Sequence, residues 1–169
     1  LLKAAGYARN ADGLIAKDGK PLEIELMVSA GGGFADQFAS VMKEDFSRAG
    51  ITLNIRKLEF QTLLTKVNQR DFQSVMLGWS SGIESDPFQL WHTSQRDKGH
   101  NFTGFGDAAS DAMIEQARLT FDDKARNAIY HKFHERVYND QPYTFLYTSY
   151  ALIAVSKRFT NVNVYPLGL

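Results

Sequence analysis

The pattern of apolar and polar positions after residue 21 predicts a strand, a helix and a second strand. Apolar residues recur with a period of two over 22–28 and again over 51–55, as in half-buried strands. Between them, apolar residues recur at helical spacing from a glycine run at 31–33 to Gly50. The apolar positions of the first strand and helix are Leu22, Ile24, Leu26, Val28, Phe34, Phe38, Val41, Met42, Phe46 and Ala49. The polar, turn-rich stretch before them, 9–21, is expected to be a surface loop.

The next segments extend the alternation of strands and helices. A helix is predicted around Phe60, Leu63, Leu64 and Val67, followed by a third strand over 72–79. This strand is more continuously apolar and is therefore expected to lie at the centre of the sheet. The order strand, helix, strand, helix, strand predicts right-handed crossovers and a parallel sheet. Such sheets bind ligands beyond the carboxyl ends of their strands, which here are the loops 29–33, 57–60 and 80–86.

The second half of the chain is predicted to be mostly helical. Asp107 and Asp122 are expected to cap two helices, and Gln141-Pro142 to stop the second of them. Segments 143–148 and 151–156 are expected to form a closing strand pair or one bent strand. Because no internal repeat, low-complexity tract or linker interrupts the chain, residues 1–169 are predicted to form a single domain. The chain has no initiator Met, and we expect it to be a piece of a longer protein.

Composition narrows the classes of function. The 169 residues are 44% hydrophobic, and 19 basic residues balance 19 acidic ones. This composition excludes a disordered tail and argues against nucleic acid as a partner of the whole domain. The absence of cysteine excludes thiol catalysis and Cys-type zinc sites. No apolar run reaches the roughly 18 residues that a membrane helix needs.

Motifs for catalysis, metals and cofactors do not assemble into a site. The glycine run 31–33 lacks the lysine of a phosphate-binding P-loop and the spaced glycines of a dinucleotide fingerprint. His131 and His134 lie three apart on a predicted helix, but a partly solvated helix face explains them more simply than a metal site. His92, beside a polar loop, is expected to face solvent. We therefore expect no catalytic residue, no metal ligand and no cofactor, and a hydrolase remains only as an alternative without a nucleophile.

The segment after the third predicted strand is the strongest candidate for binding. Trp79 stands at the strand's carboxyl end and is followed by the small residues Ser80, Ser81 and Gly82. The indole can supply an apolar wall, and the backbone of 80–82 can pair with an extended ligand. Two interpretations stay open: a ligand-binding edge, or a tryptophan that caps the core beside an ordinary turn.

A second loop, 101–105, has a similar character. It combines an amide, two aromatic residues and a glycine, as on the rim of a cleft. Asn101 is expected to offer side-chain hydrogen bonds to a ligand, and Phe102 an apolar contact. The expected ligand-binding set is therefore Trp79, Ser80, Ser81, Gly82, Asn101 and Phe102.

The order of short motifs along nearly the whole chain resembles the third, carboxyl-terminal lobe (domain III) of peptide-type solute-binding proteins. These proteins serve ABC importers of the dipeptide, oligopeptide and nickel class. The residues that carry the resemblance are Gly6-Tyr7, Asp12-Gly13, Asp18-Gly19, Ala49-Gly50-Ile51, Arg70-Asp71-Phe72, Gly78-Trp79, Asp86-Pro87, 99–105, Asp111, Ala117-Arg118, Asp122, Arg126, Tyr130 and Gln141-Pro142-Tyr143. The resemblance implies an α/β fold: a three-layer lobe with a mostly parallel mixed sheet, of the type II periplasmic-binding-protein kind.

The resemblance also implies a function without catalysis. Two lobes of a larger protein close over a peptide or related small solute and deliver it to ABC permease subunits. The location would be extracytoplasmic, in the periplasm or at the cell surface, with membrane contact only through the permease or a lipid anchor outside this chain. The alternative is the ligand-sensing lobe of a transcription regulator, and the sequence upstream, a signal peptide or a helix-turn-helix, distinguishes the two.

One position departs from the family pattern. Trp79 matches the family's cleft tryptophan, but the family's peptide binders carry an aspartate three residues later, and here that residue is Gly82. In the family that aspartate holds the ligand's ammonium terminus. Glu84 and Asp86 are possible substitutes, although Asp86 precedes Pro87 and is also expected to cap a helix. A blocked peptide, a sugar-like solute or a metal chelate therefore remain alternative ligands.

Overall fold

The structure is a computed structural model, and it is described over residues 1–31, 33–80, 86–148 and 153–163. The chain divides into two compact units, Leu1–Trp79 and Ser80–Leu169, which we call the sheet unit and the helical unit. Each unit has a hydrophobic core of its own. That residues 1–169 act as one lobe stays a prediction.

The sheet unit alternates strands and helices as the sequence predicts. Its core is formed where the central strand and the first helix meet, around Leu26, Val28, Ala39 and Leu53. In chain order its elements are β1 (Ala8–Arg9), β2 (Ile15–Lys17), β3 (Lys20–Pro21), β4 (Glu23–Ser29), α1 (Gly33–Ala49), β5 (Thr52–Leu58), α2 (Phe60–Asn68) and β6 (Ser74–Val75).

The main sheet is parallel, as predicted, with the strand order β5-β4-β6. β4 pairs with β5 along its whole length, from Glu23 opposite Thr52 to Ser29 opposite Leu58. The prediction that the third strand is central is wrong, because β4 lies in the middle and β6 pairs through only two residues within the described part of the chain. The physical reason is visible in β4, whose residues 26–28 are all buried, whereas β6 is only half-buried.

Residues 9–21, expected to be a loop, contain a small antiparallel sheet with the order β1-β2-β3. β2 and β3 are joined by Asp18 and Gly19, both in the left-handed region at φ 51° and 75°. A two-residue Asp-Gly connection of this kind matches the twist of a hairpin. The strands are two or three residues long, too short to produce a periodic pattern, and the sequence therefore predicts only the turn.

The helical unit packs two long helices against a short one. Its core contains Trp91, Phe105, Ile114, Phe133 and Val137. Its elements are α3 (Phe88–Trp91), a 3₁₀ helix (Thr93–Gln95), α4 (Ala108–Leu119) and α5 (Asp123–Asp140). The predicted end of α5 is confirmed, since Gln141 turns the chain out of the helix with a φ of 46°.

Both predicted helix caps are confirmed. Asp122 accepts a hydrogen bond from the N–H of Ala125 at 2.8 Å. Asp107 accepts hydrogen bonds from the N–H groups of Ala109 and Ser110 at 2.9 and 3.0 Å, and its other carboxylate oxygen contacts the Arg136 guanidinium. These donors hold the pKa of Asp107 below its ordinary value of 3.8, with the Ser110 N–H as the largest cause.

The expected closing strands are not formed in the residues that the structure describes. Residues 143–148 and 153–156 have no strand pairing, and residues 151 and 152 of the expected second strand lie outside the described ranges. Phe145, Leu146 and Tyr147 are consecutive apolar residues and are all exposed. A strand needs a neighbour to satisfy its backbone, and a local pattern of β-prone residues cannot supply one.

The turn after α1 generates a prediction about stability. Gly50 has a φ of +83°, and an added Cβ would lie 2.6 Å from the carbonyl oxygen of Gly13 and 2.7 Å from Nη1 of Arg9. We expect Gly50→Ala to lower the free energy of unfolding by about 2–4 kcal/mol, measured by urea denaturation. Gly19→Ala is the control, because Gly19 also has a positive φ but open space around it, and should cost only about 1–2 kcal/mol. Equal losses in the two variants would contradict the predicted clash.

The cap of α4 generates a prediction about pH. The folded chain favours the Asp107 carboxylate, and this contribution is therefore complete above the ordinary pKa and is lost as the pH falls through the lower folded pKa. We expect Asp107→Asn, which keeps an acceptor for the cap, to flatten the loss of stability below about pH 4. Urea denaturation at a series of pH values measures the slope. Parallel profiles for the variant and the parent chain would rule out this role of Asp107.

Candidate functional site

The candidate site is the edge of the parallel sheet at which β4, β5 and β6 all end. Because the three strands run in one direction, the chain segments that leave their carboxyl ends start from the same edge. These are the predicted loops 29–33, 57–60 and 80–86, of which residues 32 and 81–85 lie outside the described ranges. The site is described below from the side chains on either side of those gaps.

Trp79 is the last residue of the sheet unit and follows β6 after a short irregular stretch. Its side chain is 46% exposed, which means that the indole is not sealed inside the core of the sheet unit. Ser80, which begins the helical unit, is also exposed. Ser81 and Gly82, the other two predicted residues of this segment, lie outside the described residues. The predicted binding role of these four residues stays a prediction.

Two further aromatic residues belong to this edge and were assigned by their periodicity to the buried stripes of α1 and α2. Phe34 is the second residue of α1, five residues beyond the end of β4, and is 55% exposed. Phe60 is the first residue of α2, separated from β5 by the cap residue Glu59, and is 47% exposed. Their position in the sequence could have separated them from the buried residues of the same helices. Each lies in the first turn of a helix that follows a parallel strand, before the helix packs over the sheet.

The charged groups beside these aromatic residues have partners within the sheet unit. Lys57 Nζ lies 2.9 Å from Asp36 Oδ1, an oxygen that is buried and makes no hydrogen bond of good geometry, and the contact is therefore an ion pair. Glu59 caps α2 by accepting the N–H of Thr62 at 3.1 Å. The backbone N–H groups of the first turn, that of Gln61 foremost, lower the pKa of Glu59. This edge therefore presents aromatic surface beside carboxylates that already have partners.

Asn101 has a different role from the ligand contact expected of it. Its side chain is 1% exposed and lies within the helical unit. Nδ2 lies within hydrogen-bond distance of the carbonyl oxygens of Trp91, His92 and Phe105, at 3.3, 3.2 and 3.0 Å. Oδ1 accepts the N–H of Phe105 at 3.1 Å. Because its donors and its acceptor are engaged inside the unit, the Asn101 side chain holds the loop to the end of α3. The expectation that Asn101 hydrogen-bonds a ligand is therefore corrected: its partners are backbone groups of the fold.

Phe102 follows Asn101 but is only half-buried. Its ring centroid lies 5.7 Å from that of His100. The next aromatic residue, Phe105, is buried instead and packs edge-on against Trp91, with ring centroids 5.2 Å apart. Of the two aromatic residues of this loop, Phe102 is thus the one with surface left outside the core, and its predicted ligand contact stays a prediction.

His92, expected to face solvent, is instead buried and links α3 to α4. Its Nδ1 lies 3.2 Å from the backbone N of Ser94 and 2.9 Å from Ser94 Oγ. Nε2 lies 3.3 Å from Glu115 Oε1 and 3.8 Å from Asp111 Oδ2. The ring also stacks on Phe88 at a centroid distance of 4.3 Å. Because each nitrogen has a partner in the fold, His92 serves to position α3.

Asp86, considered above as a substitute for the missing aspartate, also has partners in the helical unit. Its Oδ1 accepts the N–H of Phe88, the first residue of α3, at 3.0 Å, although the cap position itself is occupied by Pro87. Its Oδ2 lies 3.1 Å from Nε of Arg118, whose guanidinium carbon sits 4.5 Å from the centre of the Phe88 ring. Both carboxylate oxygens are therefore engaged in the fold. Glu84, the other candidate, lies outside the described residues.

No helix among the described residues combines the length and the apolar character needed to cross a bilayer.

Solved structures confirm the fold class, an α/β lobe of the type II periplasmic-binding-protein kind. The oligopeptide-binding protein AppA from Bacillus subtilis, solved in complex with a nonapeptide, superposes with a TM-score of 0.80 and 31% identity over 86% of this chain. NikZ from Campylobacter jejuni, solved with Ni(L-His), superposes with a TM-score of 0.74 and 26% identity over 83% of this chain. The chain covers 30% and 29% of those two proteins.

Sequence comparison points to the same group of proteins. The chain is 28% identical to the oligopeptide-binding protein AppA of Bacillus subtilis over 98% of its length, and spans 31% of that relative. It is 24% identical to the dipeptide-binding protein of Escherichia coli over 79% of its length, and spans 26% of it. Residues 1–101 match the family described as "Bacterial extracellular solute-binding proteins, family 5 Middle". Since this match covers more than half of the chain, the chain belongs to the bacterial extracellular solute-binding proteins of family 5.

Proposed function

We propose that this chain is the ligand-binding lobe of an extracytoplasmic solute-binding protein that delivers peptides, or a related small solute, to an ABC transporter. Residues 1–169 form one lobe of a larger two-lobe protein. The two lobes close about a hinge around the ligand, and no bond is made or broken. The permease subunits receive the ligand at the membrane. The protein works in the periplasm or at the cell surface.

The observation that carries this proposal is the exposed indole of Trp79 at the carboxyl edge of a parallel sheet. Covering an exposed aromatic ring with a ligand removes apolar surface from water, which favours binding. The carboxyl edge is also where open α/β sheets bind their ligands. The exposed Ser80 beside it leaves room for the ligand's backbone to approach. Membership of family 5 supports the same reading of this surface.

The proposed ligand class rests on the relatives and on the charged groups near the carboxyl edge of the sheet. One relative is named as an oligopeptide-binding protein and another is solved with Ni(L-His), which supports a peptide first and a metal chelate second. Gly82 stands where peptide binders carry an aspartate, and the carboxylate of Asp86 is engaged by Phe88 and Arg118. We therefore propose a peptide that is held through its backbone and side chains. Neither position 82, a glycine, nor Asp86 supplies a carboxylate to its ammonium terminus.

Neither of the other functional classes gains support. The comparisons give no support to the alternative of a transcription regulator, and the relatives named above are binding proteins by their names. A helix-turn-helix encoded upstream in the complete gene would nevertheless decide for the regulator. A hydrolase would show itself as turnover of generic ester or peptide substrates.

A prediction from the proposed function concerns the two tryptophans of the chain. In the complete protein, Trp79→Ala should weaken the retention of peptides from a mixed digest at least about tenfold, because the lost aromatic contact is part of the binding surface. The melting temperature should change by only a few degrees, since the indole is half exposed. Native mass spectrometry of the peptides that remain bound, together with thermal melting, measures both.

Trp91→Ala is the matched control. Trp91 is buried against Phe105 and Tyr143, and its removal should cost about 3–5 kcal/mol of stability. If Trp79→Ala behaves like this control, with a large loss of stability and unchanged peptide binding, Trp79 is a core residue and the proposed site fails. If the unsubstituted complete protein retains no peptide at all, the peptide class itself is wrong.

A further prediction concerns Asn101. Asn101→Ala should lower the free energy of unfolding by about 2–4 kcal/mol, because it leaves buried backbone groups of Trp91, His92 and Phe105 without partners. Urea denaturation of the chain measures the loss. Asn139→Ala, at an exposed position near the end of α5, is the control and should cost less than about 0.5 kcal/mol. Full stability with weakened peptide binding in Asn101→Ala would restore the direct ligand contact first expected of this residue.

A further inference from the structure

One face of α4 holds the part of the chain that follows the candidate binding segment. Asp111, Glu115 and Arg118 lie at positions i, i+4 and i+7 of this helix, and side chains at that spacing line up on one face. Each of the three contacts a different residue between Asp86 and Thr93. We call Asp111, Glu115 and Arg118 the α4 clamp.

The inner end of the α4 clamp is largely buried. Asp111 accepts the backbone N–H of Thr93 at 2.9 Å through Oδ1, and its Oδ2 contacts the Thr93 hydroxyl group. The Asp111 side chain is 14% exposed, and a carboxylate so far from water needs partners of this kind. One turn further along α4, Glu115 Oε1 lies 3.3 Å from His92 Nε2. These two contacts fix the end of α3 and the 3₁₀ helix on α4.

The outer end of the α4 clamp is Arg118, which contacts Asp86 and Phe88 together. Its Nε lies 3.1 Å from Asp86 Oδ2, and its guanidinium carbon lies 4.5 Å from the centre of the Phe88 ring. Asp86 Oδ1 in turn accepts the N–H of Phe88 at 3.0 Å. Because a guanidinium is planar, it can pair with a carboxylate and lie over a ring at the same time, which a point charge does less well.

Phe88 joins the outer contacts to the inner ones. Its ring stacks on that of His92 at a centroid distance of 4.3 Å, and His92 is the residue that Glu115 contacts. All these residues belong to the helical unit. Since the four residues of α3 form no stable helix by themselves, the position of α3 is set by α4. The same contacts set the position of Asp86, which directly precedes α3.

Asp86 is the residue at which the predicted binding loop 80–86 ends. Residues 81–85 lie outside the described ranges, and the contacts above show how the downstream end of the loop is held. A binding segment whose end is already fixed loses fewer conformations when a ligand arrives. Its affinity is therefore higher than that of a segment that is only part of the time in the competent position.

We propose that Arg118 is a positioning residue for ligand binding. It holds Asp86, and through Asp86 the downstream end of the segment that begins after Trp79, and it does not touch the ligand itself. This inference rests on the proposed function and adds a residue to the same site. Arg118 is the member of the α4 clamp that contacts Asp86 directly, whereas Asp111 and Glu115 hold residues 92 and 93.

The first test separates peptide binding from stability in the complete protein. Arg118→Met keeps an apolar stem and removes the charge and the planar group. The probe is the set of peptides that the unsubstituted protein retains from a tryptic digest of casein, titrated by native mass spectrometry. We expect their dissociation constants to rise about two- to fivefold in Arg118→Met. The melting temperature should fall by only a few degrees, because the Arg118–Asp86 pair is half exposed.

Hydrogen exchange gives a readout that needs no ligand. The backbone N–H groups of Trp91 and His92 donate to the carbonyl oxygens of Pro87 and Phe88, both at 3.0 Å. These two amides should exchange faster in Arg118→Met, since α3 then loses a contact that holds it on α4. The amides of α5 should keep their exchange rates.

Arg126→Met is the matched control. Arg126 is also an arginine of the helical unit with an ion pair, to Asp123, but it holds the start of α5. This variant should leave both the peptide affinity and the exchange of the α3 amides unchanged.

Asp86→Asn tests the same contact from its other side and serves if Arg118→Met does not fold. It keeps an acceptor for the Phe88 N–H and removes the charge that pairs with Arg118. It should weaken peptide binding by a similar factor. The double variant should bind no more weakly than the weaker-binding single variant, because both substitutions remove one and the same interaction.

The outcomes distinguish this inference from the proposed function. Unchanged peptide affinity in both single variants, with or without a lower melting temperature, makes Arg118 a purely structural residue and overturns the inference while peptide binding stands. Additive losses in the double variant also overturn it, as does tighter binding in Arg118→Met, which would mean that the released Asp86 carboxylate contacts the ligand. If the unsubstituted protein retains no peptide, the proposed function fails, and the role of Arg118 fails with it.

Discussion

The parallel pairing of β4 on both of its sides is the constraint on which the candidate site depends. Leu26, Met27 and Val28 are all buried in this strand, and because successive side chains point to opposite faces, β4 is covered on both faces of the sheet. A parallel neighbour cannot be reached by a tight turn, and each connection must therefore cross back over the sheet through a helix. As a result the three strands end at one edge, and the segments that follow them start from it.

The helical unit depends on a different kind of interaction. α3 has only four residues, and a helix of that length is not stable by itself in water. It is held at its start by Asp86, at its end by Asn101 and along one side by His92 through Glu115. Polar residues that would attract attention as catalytic or ligand-binding groups thus satisfy buried backbone groups or join two helices. Their chemistry is explained by the requirement that buried polar groups find partners.

The sequence predicts well what local periodicity and capping determine. The strands and helices from β4 to α2 and the caps at Asp107 and Asp122 repeat their signals over several residues or use a side chain next to the helix start. It predicts poorly what depends on distant partners. The central position of β4, the burial of His92 and the absence of strand pairing in residues 143–148 depend on neighbours that no sequence window contains.

The candidate site shows the same division. The exposed indole of Trp79 fits the prediction that the edge after the third strand is the place to look. Phe34 and Phe60 were assigned to the buried stripes because a helical period does not say where a stripe leaves the core. Asn101 was placed on a cleft rim because an amide between aromatic residues suits a binding loop, although the same residue types also suit a buried clamp on backbone carbonyls.

The way charges are engaged in this chain bears on how selective its binding can be. Asp36, Glu59 and Asp86 all have partners inside the fold, and Gly82 replaces the carboxylate of the family pattern. A buried, unpaired carboxylate would reject every ligand that lacks a matching cation, because leaving it unpaired is expensive. Aromatic surface and exposed backbone discriminate far less, since one methylene group in an apolar contact changes binding by only about 1–3 kcal/mol. Under the proposed function, contacts of this kind would separate classes of ligand rather than single members of a class.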